Sequence, residues 1–267
     1  MQTISTNINQ AIADFKNIKD KIIECGVEVA DGTPTSEFAS KVSDVFEAGK
    51  AQGGGGDSYY DTFWDDFQQN GERGNYSMAF AYAWGDEAFC PKYDIVPIIC
   101  GNMFNASRIT SLKGKLDKLG KTLDLSNCTT FLQVFQNSYI KDLPILDGTK
   151  NTNLNYTFSG AKVETIEKLI LSNKLTVVNT AFNNADKLTH VIFEGELAIT
   201  GLDLHWSTLL DAESYHSLMN ILSPNTTGMS VTLPPYATVK ATYDAEYGSG
   251  AWDTIVAEKS NWSIAYN

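Results

Sequence analysis

A phenylalanine followed by small polar residues, and then by two aliphatic residues three positions apart, recurs four times between Met103 and Glu196. Successive phenylalanines are 31, 23 and 24 residues apart, and the four copies centre on Phe104, Phe135, Phe158 and Phe182. A period in the twenties is typical of a leucine-rich-repeat-type solenoid, in which one short strand recurs in each coil. Phenylalanine would fill the coil interior, the aliphatic pair would lie on the strand, and Asn, Ser and Gly would supply the turns.

These repeats predict an α+β protein in which a short leucine-rich-repeat-like solenoid is the central part. Gly53 to Gly56 follow one another directly, and four glycines in a row are typical of a linker. The predicted segments are a helical hairpin for attachment or oligomerisation at 1–50, a Gly-rich linker at 51–56, an aromatic-rich N-terminal cap at 57–102, the solenoid at 103–200 and an α+β C-terminal cap at 201–267.

The predicted hairpin begins with a regular apolar seam. Its members are separated alternately by four and three residues, and they are Ile4, Ile8, Ala11, Phe15, Ile18 and Ile22. A second helix is predicted over residues 36–48. Two interpretations stay open: a hairpin that folds on itself, and an oligomerising stalk, for which isoleucine at both seam positions favours three or four chains over two.

The segment after the linker is rich in carboxylates and aromatic rings. Asp57, Asp61 and Asp65 share one side of a predicted short helix, an arrangement more typical of a solvated face than of a metal site. The aromatic residues between Gly71 and Ile99 are typical either of a cap on a repeat array or of a platform that stacks on sugars. Of these two, the cap is favoured.

Local signals also predict elements outside the repeats. Lys113 to Lys121, in the longer first interval, is predicted to be a helical insertion. Near the end of the chain, Asp211 is predicted to cap a helix that contains Tyr215 and Leu218. Beyond it we predict a strand at Met229–Leu233, helices at Ala237–Tyr247 and Ala251–Lys259, and a final strand at Trp262–Tyr266.

Charge and hydropathy exclude two classes of partner. The chain has 20 basic and 32 acidic side chains, a net charge of −12, which disfavours nucleic acid. No apolar run reaches the roughly 18–20 residues that a membrane span needs, so membrane insertion is not expected. The N-terminal residues lack the basic start and unbroken apolar stretch of a signal peptide, so secretion by that signal is not expected.

The chemistry-bearing residues do not form a recognisable catalytic or metal pattern. The cysteines Cys25, Cys90, Cys100 and Cys128 are widely spaced and are expected to be buried thiols. His190, His205 and His216 have no nucleophile at a characteristic spacing, and no HExxH or GxSxG motif occurs. We therefore predict no enzyme activity and no catalytic, cofactor or metal residues. The candidate receptor-facing residues, chosen as polar residues in repeat turns, are Gln133, Asn137, Asn155, Lys162, Asn179 and Asn184.

Two resemblances suggest a biological context. The fourth copy, Ala181 to Val191, resembles the repeat of BspA-type leucine-rich-repeat proteins. The residues Ile18 to Val29, followed by Gly32 to Ala39, resemble a hairpin module at the start of bacteriophage tail and baseplate-associated proteins. The segment Trp64–Tyr93 and the tail with Trp252 and Trp262 are similar to pieces shared by phage-derived repeat proteins of gut bacteria.

The resemblances imply a non-enzymatic phage virion protein of tail-fibre, baseplate or decoration type. It would be assembled in the host cytoplasm, attach to other virion proteins through residues 1–50 as a homo-oligomer, with a trimer favoured, and present its repeats to a host-surface glycan or protein. The alternatives are a bacterial cell-surface BspA-like adhesin and, less favoured, a carbohydrate-active enzyme. Oligomeric state, presence in the envelope fraction and release of reducing sugar distinguish the three.

Overall fold

The computed structural model describes residues 75–82, 89, 91 and 93–267. Several predictions made from the sequence therefore concern residues outside the described part. They are the helical hairpin at 1–50, the linker at 51–56, the carboxylates Asp57, Asp61 and Asp65, and the seam Ile4, Ile8, Ala11, Phe15, Ile18 and Ile22.

Short helices and strands alternate along the described chain. In order they are α1 (Lys113–Leu119), β1 (Asp142–Asp147), β2 (Thr165–Leu171), β3 (His190–Gly195), β4 (Leu202–Asp203), α2 (Ala212–Ile221), β5 (Met229–Leu233), α3 (Tyr236–Tyr247), α4 (Ala251–Glu258) and β6 (Trp262–Tyr266). Helix α1 confirms the predicted insertion. The predicted helices and strands after residue 211 are confirmed as α2, β5, α3, α4 and β6.

Five buried phenylalanine rings stack in chain order, and we call them the phenylalanine stack: Phe80, Phe104, Phe135, Phe158 and Phe182. Neighbouring ring centroids are 5.0, 5.5, 5.7 and 4.9 Å apart, with interplanar angles of 23° or less. Phe89 and Phe193 pack edge-on at the two ends. The stack removes large apolar surfaces from water in an arrangement favourable to aromatic rings.

Backbone hydrogen bonds join each turn of the stack to the next. The N–H of Phe80 donates to the carbonyl of Met103, and the N–H of Phe104 donates to that of Val134, both at 2.8 Å. The same bond links Phe135 to Thr157 at 2.9 Å. These bonds hold consecutive turns in a fixed register even where the chain between them forms no regular strand.

The strands form two separate parallel sheets, ordered β1-β2-β3 and β4-β5-β6. In the first sheet Leu143 lies opposite Ile166, which in turn lies opposite Val191, and all three side chains are buried. Because residues opposite each other in a parallel ladder face the same side of the sheet, this register directs one aliphatic row into the core.

Helix α2 covers the free edge of β3. The hydroxyls of Ser214 and Ser217 accept hydrogen bonds from the N–H groups of Val191 and Phe193, at 2.9 and 3.0 Å. The helix is held in place by its N-cap, because Asp211 accepts the N–H of Ser214 at 2.9 Å. The first sheet therefore ends against a helix, and its last strand is protected from pairing with another chain.

The last helices are joined by a cluster of ion pairs and backbone hydrogen bonds. Asp244 accepts hydrogen bonds from the Nζ of Lys240 at 2.7 Å and from the N–H groups of Gly250 and Trp252 at 3.0 and 2.8 Å. The hydrogen bond from Lys240, followed by those from the Trp252 and Gly250 amides, stabilises the charged carboxylate and lowers the pKa of Asp244 to about 2. The cluster fixes the turn between α3 and α4, so that Trp252 is fully buried.

The predicted α+β fold with a leucine-rich-repeat-like (BspA-type) solenoid at 103–200 is wrong. The described residues form a mixed α/β structure with two small parallel sheets and few helices. A strand does not recur in every copy, since the segment with the aliphatic pair of the first copy, Ile109 and Leu112, forms no strand, and Ser111 within it makes only an isolated bridge with Asp142. The segments around the phenylalanines are turns with positive φ, which strands do not contain. In addition, β4 begins a second sheet.

Candidate functional site

The turns around the phenylalanine stack share an unusual backbone conformation. In the part of the chain that the structure describes, every residue other than glycine with a positive φ lies two positions before or after a stacked phenylalanine. They are Met78, Tyr82, Asn102, Ala106, Gln133, Asn137, Tyr156 and Asn184. Asparagine tolerates this conformation, but for the other residues it costs about 1–2 kcal/mol each. The hydrogen bonds between turns and the ring stack offset this cost.

The repeated conformation places side chains in two rows, which we call the turn surface. The row two positions after each phenylalanine contains Tyr82, Ala106, Asn137, Gly160 and Asn184. The N–H groups of the first four of these residues donate to the carbonyl preceding the next member of the row, at 2.7 to 2.9 Å. The row four positions after each described repeat phenylalanine contains Arg108, Tyr139, Lys162 and Asp186.

A groove of about 340 Å³ lies between these rows, lined by Tyr82, Ala106, Arg108, Asn137 and Tyr139. The Cζ atom of Arg108 lies 4.4 Å from the centroid of the Tyr139 ring, a cation–π distance. As whole residues Tyr82 and Tyr139 are 63% and 41% exposed, although tyrosine is usually more covered. The groove is thus lined by two partly exposed tyrosines, a guanidinium that lies over one of them, and an amide.

Small residues on either side of Asn137 shape the groove. Ala106, between Tyr82 and Asn137 in the first row, leaves space where a longer side chain would stand. Gly160 has a φ of +65°, and a Cβ atom built on it would lie 2.5 Å from the Oδ1 of Asn137. The Asn137 side chain therefore lies over Gly160, and this position requires glycine for both its φ and its space.

The structure places only one of the six candidate receptor-facing residues in this groove, namely Asn137. Lys162, Asn179 and Asn184 are exposed elsewhere. Gln133 and Asn155 are half-buried and bonded to neighbours: Gln133 Nε2 donates to Gln136 Oε1 at 2.8 Å, and the amide oxygen of Asn155 accepts from the Thr180 hydroxyl. Candidates chosen only as polar turn residues are thus divided between surface and turn-stabilising roles.

Sequence reasoning missed Tyr82, Ala106, Arg108 and Tyr139. A usable signal existed, because Arg108 and Tyr139 both stand four residues after a repeat phenylalanine. Tyr82 stands two residues after Phe80, which lies before the first of the four predicted copies. Recognising it as a fifth copy would have placed Tyr82 in the same row as Asn137.

The histidines form pairs that do not resemble a nucleophile and its base. His190 Nδ1 lies 2.6 Å from Asp211 Oδ2, whereas the Ser214 hydroxyl lies 2.6 Å from the other oxygen of the same carboxylate. Burial raises the pKa of Asp211, but the hydrogen bonds from Ser214 and His190 outweigh burial, and the net pKa is lowered. The serine therefore contacts the carboxylate rather than the imidazole that would have to take its proton.

Each of the other two histidines has one hydrogen-bond partner for its ring and lies beside an aromatic side chain. His205 Nδ1 lies 2.7 Å from Asp203 Oδ1, beside the Trp206 ring. His216 Nδ1 lies 2.8 Å from the hydroxyl of Tyr243, and its ring stacks on Tyr247. Asp203 stands two residues before His205, so this pairing is local and does not match a characteristic catalytic spacing.

Two of the four cysteines are described, and both are buried free thiols as expected. A hydrogen bond with Cys128, together with burial, raises the pKa of Cys100, so that its thiol stays protonated at neutral pH. Protonated, buried thiols are poor nucleophiles and poor metal ligands. The expectation for Cys25 and Cys90 concerns residues outside the described part.

No group of three or more His, Cys, Asp or Glu side chains among the described residues could hold a metal ion. None of the helices in that part of the chain combines the length and the apolar character needed to cross a bilayer.

Comparisons with known proteins give no relative for this chain. No protein-family model, no curated protein and no solved structure matches it.

Proposed function

We propose that this chain is a non-enzymatic bacteriophage virion protein, of tail-fibre, baseplate or decoration type, whose turn surface recognises the surface of the host. Residues 1–50 attach it to other virion proteins and join it to further copies of itself, with a trimer favoured. The protein is assembled in the host cytoplasm and remains in the virion.

The turn surface is the observation that carries this proposal. Stacked rings and hydrogen bonds between turns fix its backbone, while its side chains are mostly polar or aromatic and several are exposed. A fixed backbone lowers the entropy that is lost when a ligand is bound, so such a surface favours recognition. Recognition of this kind needs no acid–base pair. His190 and Ser214 both contact the Asp211 carboxylate that caps the helix, and this favours a structural role for the two residues.

The sequence supports the assembly part of the proposal. The seam from Ile4 to Ile22 alternates four- and three-residue spacings, the pattern of helices that pack against one another along a/d positions. The resemblance of residues 18–39 to a phage tail and baseplate module points to the same role. The net charge of −12 repels the phosphate backbone, and this disfavours binding of an oligomer of many copies to nucleic acid during particle assembly.

The first experiment asks whether the protein is part of a particle. Phage particles are purified from a culture of the strain that encodes the chain, analysed by mass spectrometry and labelled with an antibody against the chain for electron microscopy. We expect the chain in intact particles at a fixed position. Recovery only in the bacterial envelope fraction would instead establish the cell-surface adhesin, and the virion proposal would be abandoned.

A second experiment tests the seam. Light scattering is expected to give the full chain three times its mass of 29.3 kDa. The variant Ile8→Glu/Ile18→Glu should be a monomer, because a charge at an apolar seam position is not compensated by a partner. The control Lys19→Glu changes charge beside the seam and should remain trimeric. A monomeric wild-type chain would refute self-assembly through this segment in free solution.

A further inference from the structure

We propose that the groove of the turn surface binds an uncharged sugar ring of a host-surface glycan. The inference rests on the proposed function, since it names the ligand class that the recognition surface would take. The residues that contact the ring are Tyr82, Ala106, Asn137 and Tyr139. Arg108 also lines the groove, but its guanidinium carbon lies 4.4 Å from the centroid of the Tyr139 ring, so it supports that ring instead of contacting the ligand.

The two tyrosines supply the apolar surface that one face of a sugar ring needs. As whole residues Tyr82 and Tyr139 are 63% and 41% exposed, and both line the same groove. The C–H groups on the face of a pyranose are apolar, and they pack on aromatic side chains. Binding of such a ring therefore removes exposed apolar surface from water, on the protein and on the ligand alike.

The groove also contains polar groups that a ligand has to satisfy. Among the described residues, no group forms a hydrogen bond with the hydroxyls of Tyr82 and Tyr139 or with the side-chain amide of Asn137. A ligand that covers these groups must supply partners, because a polar group removed from water without a hydrogen bond costs free energy. An apolar ring has no such partner, whereas each hydroxyl of a sugar both donates and accepts.

The charges around the groove favour a neutral ligand. Of the five described residues in its lining, Arg108 is the charged one, and it already interacts with other groups of the chain. A carboxylate or an ammonium group bound beside the other four would lose hydration without gaining an opposite charge. The net charge of −12 on the chain disfavours an anion further. A sugar without an ionised group has neither disadvantage.

The dimensions of the groove suit a small ligand. Its volume of about 340 Å³ lies at the lower end of the roughly 300–1,000 Å³ range of small-molecule sites. Ala106 stands between Tyr82 and Asn137 in the first row, and its short side chain leaves space between theirs. A longer residue at this position would take up part of the space that the ring needs.

The test uses the full chain and probes that share a six-membered ring. The two uncharged sugars are methyl β-glucoside and methyl β-galactoside, the charged probe is methyl β-glucuronoside, and the apolar probe is cyclohexanol. Titrations followed by ligand-detected NMR give each Kd. We expect at least one uncharged sugar to bind with a Kd on the order of 1 mM, at least about tenfold more tightly than the glucuronoside and cyclohexanol.

Three results would overturn the proposal. Binding of neither uncharged sugar would show that the groove is not a sugar site. Equally tight binding of methyl β-glucuronoside would show that the groove does not select against charge. Equally tight binding of cyclohexanol would show that the sugar hydroxyls are not recognised.

A matched pair of variants locates the site without disturbing the fold. Tyr82→Asn removes one ring from the groove and introduces a residue that tolerates the φ of +59° and occurs twice in the same row. Sugar binding should weaken at least about tenfold, while the melting temperature is kept. Tyr156→Asn makes the same exchange at a φ of +55° outside the described lining of the groove, so binding should not change. Unchanged binding in Tyr82→Asn, or an equal loss in Tyr156→Asn, would refute the assignment of the site.

The outcomes separate this inference from the proposed function. If the chain is found in phage particles but neither uncharged sugar binds, the ligand class is wrong and the virion role stands. If a sugar binds in the groove but the chain is absent from particles, the site is right and the virion role is wrong.

Discussion

The stacked rings of Phe104, Phe135 and Phe158 allow a test of whether the stack contributes more than the burial of apolar surface. All three are at most 1% exposed, so replacement of any of them by leucine keeps most of the buried volume and removes the ring contacts. Phe135 has two such contacts, at 5.5 and 5.7 Å. At about 0.5–1.5 kcal/mol for each aromatic pair, Phe135→Leu should lower the free energy of unfolding by about 1–3 kcal/mol.

The pairwise contribution is measured by double-mutant cycles. Phe104→Leu/Phe135→Leu removes adjacent rings, so the two effects should be coupled by about 0.5–1.5 kcal/mol. Phe104→Leu/Phe182→Leu removes rings that neither touch nor share a neighbouring ring, and these effects should add to within about 0.5 kcal/mol. Urea unfolding followed by circular dichroism and tryptophan fluorescence gives each free energy, provided that the two signals coincide. The same small coupling in both cycles would refute a specific role for ring stacking.

Three further predictions concern the backbone, the sheet edge and acid stability. Gly195→Ala should lower the free energy of unfolding in urea clearly more than Gly250→Ala. Both glycines have φ near +90°, but only at Gly195 would the new Cβ lie 2.2 Å from the carbonyl oxygen of Leu171. Equal losses of unfolding free energy in the two variants would contradict this. Ser217→Ala removes the hydrogen-bond acceptor of the Phe193 amide in β3 and should lower the free energy of unfolding by about 1–3 kcal/mol. Hydrogen exchange at the Phe193 amide should become faster, and unchanged exchange would argue against protection of the sheet edge. The pKa of Asp244 is about 2 in the folded protein and about 3.9 in the unfolded chain. The stability that the Asp244 carboxylate contributes is therefore complete above about pH 3.9 and is lost as the pH falls towards 2. The melting temperature of Asp244→Asn should thus depend less on pH in this interval than that of the wild type.

Sequence reasoning succeeded where the signal is local or strongly periodic. The helix capped by Asp211, the strand at Met229–Leu233 and the buried phenylalanines all follow from a cap, a short apolar run or a repeated ring. These signals depend on neighbours in the chain or on a residue type that is costly to expose, and tertiary context does not override them here.

The failure of the predicted solenoid and the position of the groove could not be inferred in the same way. Tyr82 and Ala106 adopt a left-handed conformation that their residue types disfavour, and only the surrounding stack makes it acceptable. Whether the segment around an aliphatic pair becomes a strand depends on its neighbours: beside Leu112, Ser111 makes only a single bridge, whereas Leu143 pairs within a ladder. The groove depends on the lateral distance between Arg108 and Tyr139, which are 31 residues apart in the sequence.

The hydrogen bonds donated by the N–H groups of the stacked phenylalanines have a common direction, and this gives that row of peptide groups an electrical polarity. Each linking peptide group receives a bond at its carbonyl from one turn and donates from its N–H to the next, as from Phe80 through Phe104 and Phe135 to Phe158. Peptide dipoles aligned head to tail add up and polarise one another, as they do along a helix axis. Along this row of peptide groups Phe182 therefore lies at the positive end and Phe80 at the negative end, so an added turn would strengthen the other hydrogen bonds of the row.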